Sequence, residues 1–365
     1  MSPLSIRRQI GQLLIAGFKG TQVPVELRSL AREFGLGGTI LFARNIEAPE
    51  QVAELSYELA RVSPEMPGWV SVDQEGGRVA RLKAPFTEWP PMATIGRSGD
   101  ARLAEQFAKA LAAELKSVGI TLDFAPVLDI HTNPKNPVIG DRALGETAKT
   151  VAELGAVIVR ALQAEGIAAC GKHFPGHGDT NTDSHLELPL VEHPPELLRE
   201  REFEPFRAAI AAGVATIMTA HVFVPSLDDQ RPATLSRRVV TGLLRQELGF
   251  EGVIVSDDLE MKALAADRAV PDSAVQAVEA GCDALLICAG DYDVQAAALE
   301  ALVRTVETDP AFARRVDDAL TRNRRAKERF LGATVGAAPL TGRALARVLG
   351  QDVHRRTAEE MARFA

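Results

Sequence analysis

Ala168-Ala169-Cys170-Gly171-Lys172 runs directly into His173-Phe174-Pro175-Gly176-His177-Gly178-Asp179-Thr180. The first five residues read as a strand without polar alternation, the pattern of a parallel strand covered on both faces. The remaining eight read as a polar loop rich in proline, glycine and histidine. An apolar strand that ends abruptly in chemically versatile side chains is the unit from which the rest of the chain is read.

The same unit recurs. Further strand-length runs are Leu13 to Gly17, Gly38 to Phe42, Trp69 to Val72, Thr121 to Ala125, Thr216 to Ala220, Val253 to Ser256 and Ala284 to Cys288. Helical periods lie between them. In Ala101 to Val118 the residues Leu103, Phe107, Leu111 and Leu115 recur every four positions. Thr147 to Glu165, closed by Gly166, and Ser236 to Glu247, with Gly249 just beyond, read the same way. Eight strands alternating with helices predict a (β/α)8 barrel of the TIM type. An open doubly wound sheet would carry a glycine-rich dinucleotide turn after its first strand, and none is present. No Ser/Gly linker divides the chain, so residues 1–331 are expected to form one barrel. Residues 332–365 are expected to add a helical appendage (Thr341 to Leu349 and Arg356 to Phe364).

Composition narrows the function. Of 365 residues, 41 are Lys or Arg and 49 are Asp or Glu, giving a formal charge of −8. Without a basic run this is a poor match for a phosphate backbone, and nucleic acid is not an expected partner. Cys170, Cys282 and Cys288 sit in apolar runs, as buried thiols of a reducing compartment do. The apolar run Ile10 to Phe18 is interrupted by Gly11 and Gln12, and no run approaches the roughly 18 apolar residues of a membrane span. The expectation is a cytoplasmic enzyme with no membrane partner.

In a barrel the reactive groups come from the C-terminal ends of strands. Trp69–Val72 leads into Asp73-Gln74-Glu75-Gly76-Gly77-Arg78 and then Arg81; Thr121–Ala125 leads to Asp129 and on to Gly140-Asp141-Arg142. Thr216–Ala220 ends at His221, and Val253–Ser256 ends in Asp257-Asp258. Gly76-Gly77 fits either a tight turn or an anion-holding nest. Asp258 fits the cap of a following helix. As chain neighbours, Asp257 and Asp258 are expected to face opposite ways, with one at the mouth. Arg81, Arg142 and Lys172, each after a different strand, suit a ligand rich in hydroxyl and carbonyl oxygens, such as a sugar.

The histidine-rich loop supports two chemistries. His173, His177 and His185 with Asp179 and Asp183 are possible ligands for a divalent metal, though Pro175, Gly176 and Gly178 between them speak against the helix on which ligands four apart share a face. Alternatively, Asp183 orients and charges His185 across one intervening residue, which suits a general acid that later serves as base. Asp257 then supplies an ionised carboxylate, and the pair meets the needs of a retaining glycosidase with an imidazole in place of the second carboxyl.

Val72-Asp73-Gln74-Glu75-Gly76-Gly77-Arg78-Val79, the 172–180 loop, Asp183-Ser184-His185 and Gly252-Val253-Ile254-Val255-Ser256-Asp257-Asp258 together resemble glycoside hydrolase family 3, in its single-domain β-N-acetylglucosaminidase branch. The resemblance runs from about residue 5 to 330. It implies Asp257 as nucleophile, His185 as acid/base and Asp183 as its orienting partner. It also implies Asp73, Arg81, Arg142, Lys172 and His173 as holders of the sugar, with no cofactor and no metal. His131 departs from the asparagine expected there. The implied reaction removes a terminal β-linked N-acetylglucosamine with retention, from an aglycone of the anhydro-muropeptide kind. Two other readings stay open, a phosphorylase and a sugar-binding barrel without turnover. For the first, a neutral imidazole beside the glycosyl-enzyme repels phosphate less than a carboxylate does.

Overall fold

A computed structural model describes residues 3–63, 66–184, 186–266, 268–332 and 338–365. Eight parallel strands close into a barrel: β1 Leu14–Ala16, β2 Gly38–Leu41, β3 Trp69–Val72, β4 Leu122–Asp123, β5 Ala168–Phe174, β6 Thr216–Thr219, β7 Val253–Asp258 and β8 Ala284–Ile287. All eight predicted strands are present, in the predicted order. Closure is made by β1 against β8, with Leu14 opposite Leu285 and Ala16 opposite Ile287.

Strand side chains alternate between two apolar compartments, which explains why the strands carry no polar face. Ile15, Ile40, Trp69, Leu122, Phe124, Cys170, Val253, Val255 and Leu286 fill the barrel interior. Leu14, Ala16, Leu41, Val70, Val72, Ile217 and Ile254 point outward into the layer beneath the helices. The predicted helices form at Ala101–Ser117, Ala148–Ala164 and Arg238–Glu247. Asp100 and Thr147 cap the first two by accepting the Arg102 and Thr150 amides.

The helix Pro310–Leu331 seals the N-terminal end of the barrel. Its last residues, Phe330 and Leu331, belong to the interior core, and the Phe330 ring lies 6.4 Å from that of Trp69, the first residue of β3. One turn earlier, Lys327 is buried and its Nζ donates to Gln12 Oε1 at 2.8 Å. The C-terminal segment adds Gly342–Ala346 and Asp352–Ala362. Leu345 and Met361 enter the outer core. The buried carboxylate of Glu114 accepts from the Gly350 amide (2.9 Å), His354 Nδ1 (2.8 Å) and the Thr87 amide and hydroxyl (2.8 and 2.6 Å), tying this segment to the barrel. Among the described residues no helix is long and apolar enough to cross a membrane.

Lys327 has a neutral partner, and burial lowers its pKa to about 7, against an ordinary lysine value of about 10.4 in the unfolded chain. Between these values the unfolded chain binds more protons, so this residue makes stability rise as pH increases from about 7 to 10. Lys327→Met is expected to raise the melting temperature at pH 6 by several degrees and to flatten that rise. Melting curves of both proteins at pH 6 and 9 check this; parallel pH profiles contradict it.

Candidate active site

The opposite end of the barrel opens into a cavity of about 490 Å³ whose lining includes Asp73, Arg81, Arg142, Lys172, His173 and Asp257. Six expected site residues therefore meet in one place, drawn from the ends of β3, β5 and β7 and from the loop after β4. Ser184 and His177 line the same cavity. His185 lies outside the described residues. Asp183 is not among the described lining residues, although its neighbour Ser184 is; the Asp183 carbonyl accepts the Leu186 and Glu187 amides.

The turn after β3 explains its glycines. Gly76 and Gly77 have φ of +112° and +55°, values that disfavour any residue with a Cβ. The amides of Glu75 and Gly76 donate to the Val79 carbonyl and that of Gly77 to the Trp89 carbonyl. With all three committed, this is a tight turn and not an anion nest. Gln74 completes it: its Oε1 accepts the Arg81 and Leu82 amides at 2.7 and 3.0 Å, which fixes where Arg81 leaves the turn.

Glu75 is the centre of the charge network, and its role was not read from the sequence. Its carboxylate is gripped by Arg142 through Nε (2.9 Å) and Nη2 (2.8 Å), and its Oε1 also lies 2.7 Å from Lys172 Nζ. Lys172 Nζ reaches Asp73 Oδ1 at 2.8 Å, and Arg81 Nη2 lies 3.5 Å from Asp73 Oδ2. Burial opposes ionisation of Glu75, yet Arg142 and Lys172 hold it well below the ordinary carboxylate range. Burial likewise opposes charge on Lys172, and Asp73 and Glu75 override it. Asp73 and Glu75, two positions apart just past β3, both reach Lys172 Nζ, as alternate residues of an extended segment can. That alternation was the available signal.

A second buried carboxylate, Asp129, organises the histidine loop. Oδ2 lies 2.6 Å from His173 Nδ1 and accepts the His173 amide at 3.2 Å, while Oδ1 accepts the His177 amide at 2.7 Å. His177 is engaged at both ring nitrogens, with Thr180 Oγ1 at 2.7 Å and Ser184 Oγ at 3.0 Å. Burial lowers its pKa to about 4, so it is neutral at physiological pH. Asp179 turns away toward Thr132, His193 and Arg201. Among the described residues no group of three His, Cys, Asp or Glu side chains is arranged to hold a metal ion. Gly178 has no room for a Cβ, which would overlap the Ile130 carbonyl.

At the tip of β7 the strand alternation fails. Asp257 and Asp258 both line the cavity, contrary to the expectation that they face opposite ways. The β7–β8 register shifts between Val255 and Asp258, and this irregularity breaks the alternation there. Nor does Asp258 cap a helix. Its Oδ1 accepts the Glu260 amide (3.1 Å) and the Cys288 amide (3.2 Å), while the next helix starts only at Lys262. Burial raises Asp257, but His221, His173, the Asp258 amide and Lys172 together bring it below the ordinary carboxylate value. Burial, with Glu260 and Asp257 nearby, pushes Asp258 up to about 7. Of two adjacent acids, Asp257 is the one fully ionised at neutral pH. His221 is buried between Thr234 Oγ1 (2.8 Å) and the Asp258 carbonyl (2.9 Å).

Comparison with known proteins places this geometry. The Glycosyl hydrolase family 3 N terminal domain model matches residues 5–326. A Beta-hexosaminidase from Nitrosomonas eutropha is 43% identical over 260 residues, 69% of this chain and 74% of that protein. A glycoside hydrolase family 3 beta-N-acetylglucosaminidase structure from Paenibacillus sp. is 44% identical with a TM-score of 0.93, covering 98% of this chain and 68% of that one. NagZ from Neisseria gonorrhoeae, solved in complex with N-trifluoroacetyl-D-glucosamine, is 30% identical with a TM-score of 0.79, covering 97% of both chains.

Removing Glu75 strands two buried cations. Glu75→Ala is expected to cost about 3–5 kcal/mol of stability, the usual penalty for breaking a buried ion pair from one side. Urea denaturation measures it, and an unchanged midpoint would show that Arg142 and Lys172 do not depend on this carboxylate.

Proposed function

The chain belongs to glycosyl hydrolase family 3, and from that premise we propose that it is a retaining exo-β-N-acetylglucosaminidase with Asp257 as its nucleophile. The observation that carries the reading is the position of Asp257. It is an ionised carboxylate at a strand tip, in a cavity also lined by Asp73, Arg81, Arg142, Lys172 and His173.

Asp73 and the cations around it hold the ring hydroxyls and the N-acetyl group. Arg81 lines the cavity beside Asp73, its Nη2 3.5 Å from Asp73 Oδ2, and is placed to donate to a substrate oxygen. His173, held through Nδ1 by Asp129, presents a fixed ring to the cavity. Asp257 attacks the anomeric carbon while His185, oriented by Asp183, gives a proton to the departing oxygen. The same imidazole then takes a proton from water, which releases the sugar from Asp257. Asp257 must be ionised to attack, so its lowered pKa extends activity toward acid. The half of the substrate beyond the scissile bond is a muropeptide-like aglycone, in line with the branch the motifs resemble. Three buried free thiols support a reducing compartment, the cytoplasm.

Asp257→Ala is expected to lower turnover of 4-nitrophenyl N-acetyl-β-glucosaminide at least a thousandfold with folding intact, the scale of removing a covalent nucleophile. Near-normal rates would overturn the assignment, as would an α-configured first product by NMR. The acidic limb of kcat/KM is expected below about pH 4, under the ordinary aspartate value. Added inorganic phosphate is expected to leave the rate unchanged and yield no sugar 1-phosphate; its formation would make the enzyme a phosphorylase.

A further inference from the structure

The outer wall of the barrel carries a hollow of about 740 Å³ that shares no lining residue with the catalytic cavity. Four arginines line it: Arg231 from the segment between β6 and β7, Arg237 and Arg238 at the start of the helix Arg238–Glu247, and Arg268 beyond β7. Among the described residues none of the four guanidiniums is held by a carboxylate ion pair. Asp228 is the one acidic residue in the lining. It is buried and already committed, accepting from Ser236 Oγ at 2.6 Å and the Gln230 amide at 2.9 Å. Four positive groups against one negative leave a formal +3 in a chain of −8.

Nothing in the local structure rewards this arrangement. Like charges gathered around one hollow repel one another even in water. The first turn of a helix favours acidic side chains, yet this helix has none there; Arg238 opens it and Arg237 is its N-cap residue. A neighbouring hollow of about 530 Å³ shares Arg231 and Arg237 and adds Arg245, Arg314 and Arg315, but there Glu279, Asp309 and Asp318 balance most of the charge, so the excess of arginine belongs to the first hollow. Arg315 is spoken for by Asp283 and Asp318. Arg238 acts at longer range on the buried Asp228 carboxylate, and none of the four guanidiniums of the first hollow is in a carboxylate ion pair among the described residues.

We propose that this hollow binds a small ligand bearing phosphate groups. The guanidinium fork matches two phosphate oxygens at once, and several forks converging on one hollow favour an anion of more than one charge over a monoanion. The helix N-terminus at Arg237 adds a partial positive charge of the same sense. Gln276 supplies a neutral donor on the same wall. The ligand is either inorganic, as pyrophosphate, or a phosphorylated metabolite, and the two present the same phosphate chemistry.

Isothermal titration of the full chain with pyrophosphate, glucose 6-phosphate and sulfate, at constant ionic strength near 0.15 M, tests the site. Pyrophosphate or the phosphomonoester is expected to bind at one site at least tenfold more tightly than sulfate, and whichever is tighter identifies the source. Arg237→Ala/Arg238→Ala is expected to weaken that binding tenfold or more while leaving 4-nitrophenyl N-acetyl-β-glucosaminide turnover unchanged. Arg268→Ala alone is a milder second variant, expected to weaken binding severalfold. Absence of heat at millimolar pyrophosphate and phosphomonoester overturns the proposal, as do equal affinities in wild type and variants. Binding to anionic phospholipid vesicles without binding either small phosphate also overturns it, in favour of a surface contact.

Discussion

The cavity depends on a carboxylate that faces two cations inside the protein. Glu75 holds Arg142 through a two-point contact and Lys172 through a third, and Lys172 passes that constraint to Asp73. Isolated, each of these charges would be too costly to bury; together each one supplies the reason its neighbour stays ionised. The result is a polar wall whose geometry is set before any ligand arrives, which is what binding and catalysis by pre-placed charges require. Asp129 does the same for the histidine loop, using both oxygens to fix two backbone amides and one ring.

These two anchors also divide the tasks among similar residues. Asp257 and Asp258 are adjacent and chemically identical, yet histidines and Lys172 favour charge on the first while burial and two nearby acids oppose it on the second. His173 and His177 lie in edge-to-face contact 6.0 Å apart, but one is tied to a carboxylate and the other to hydroxyls. Adjacent or like residues therefore take different roles from different partners. The partners that decide those roles are partly local, as Thr180 and Ser184 are for His177, and partly distant, as Asp129 is for His173 and His221, His173 and Lys172 are for Asp257.

That division explains what was legible in the sequence. All eight strands were readable, because a barrel buried on both faces leaves uninterrupted apolar runs, and the end-of-strand rule pointed to the polar residues after them. The motif resemblance singled out Asp73, Arg81, Arg142, Lys172, His173 and Asp257, and the fold brings all six into one cavity. Glu75 and Asp129 were in view without a function, since a buried counter-charge is defined by its partner and not by its own neighbours in the chain. The shared orientation of Asp257 and Asp258 was misread because a register shift between β7 and β8 overrides the strand period. Asp183 and His185 were paired by spacing and resemblance alone.

The seal at the barrel floor has a consequence for biosynthesis. β1 finds one of its two neighbours in β8, some 270 positions later, and Phe330 and Leu331 occupy the floor only after that. During translation, then, the inner apolar lining of the emerging strands has no stopper until Phe330 and Leu331 have left the ribosome. Long-range closure of this kind folds slowly and leaves sticky surface uncovered meanwhile. The nascent polypeptide is accordingly most vulnerable to self-association in the interval between the release of β7 and the docking of its last long helix.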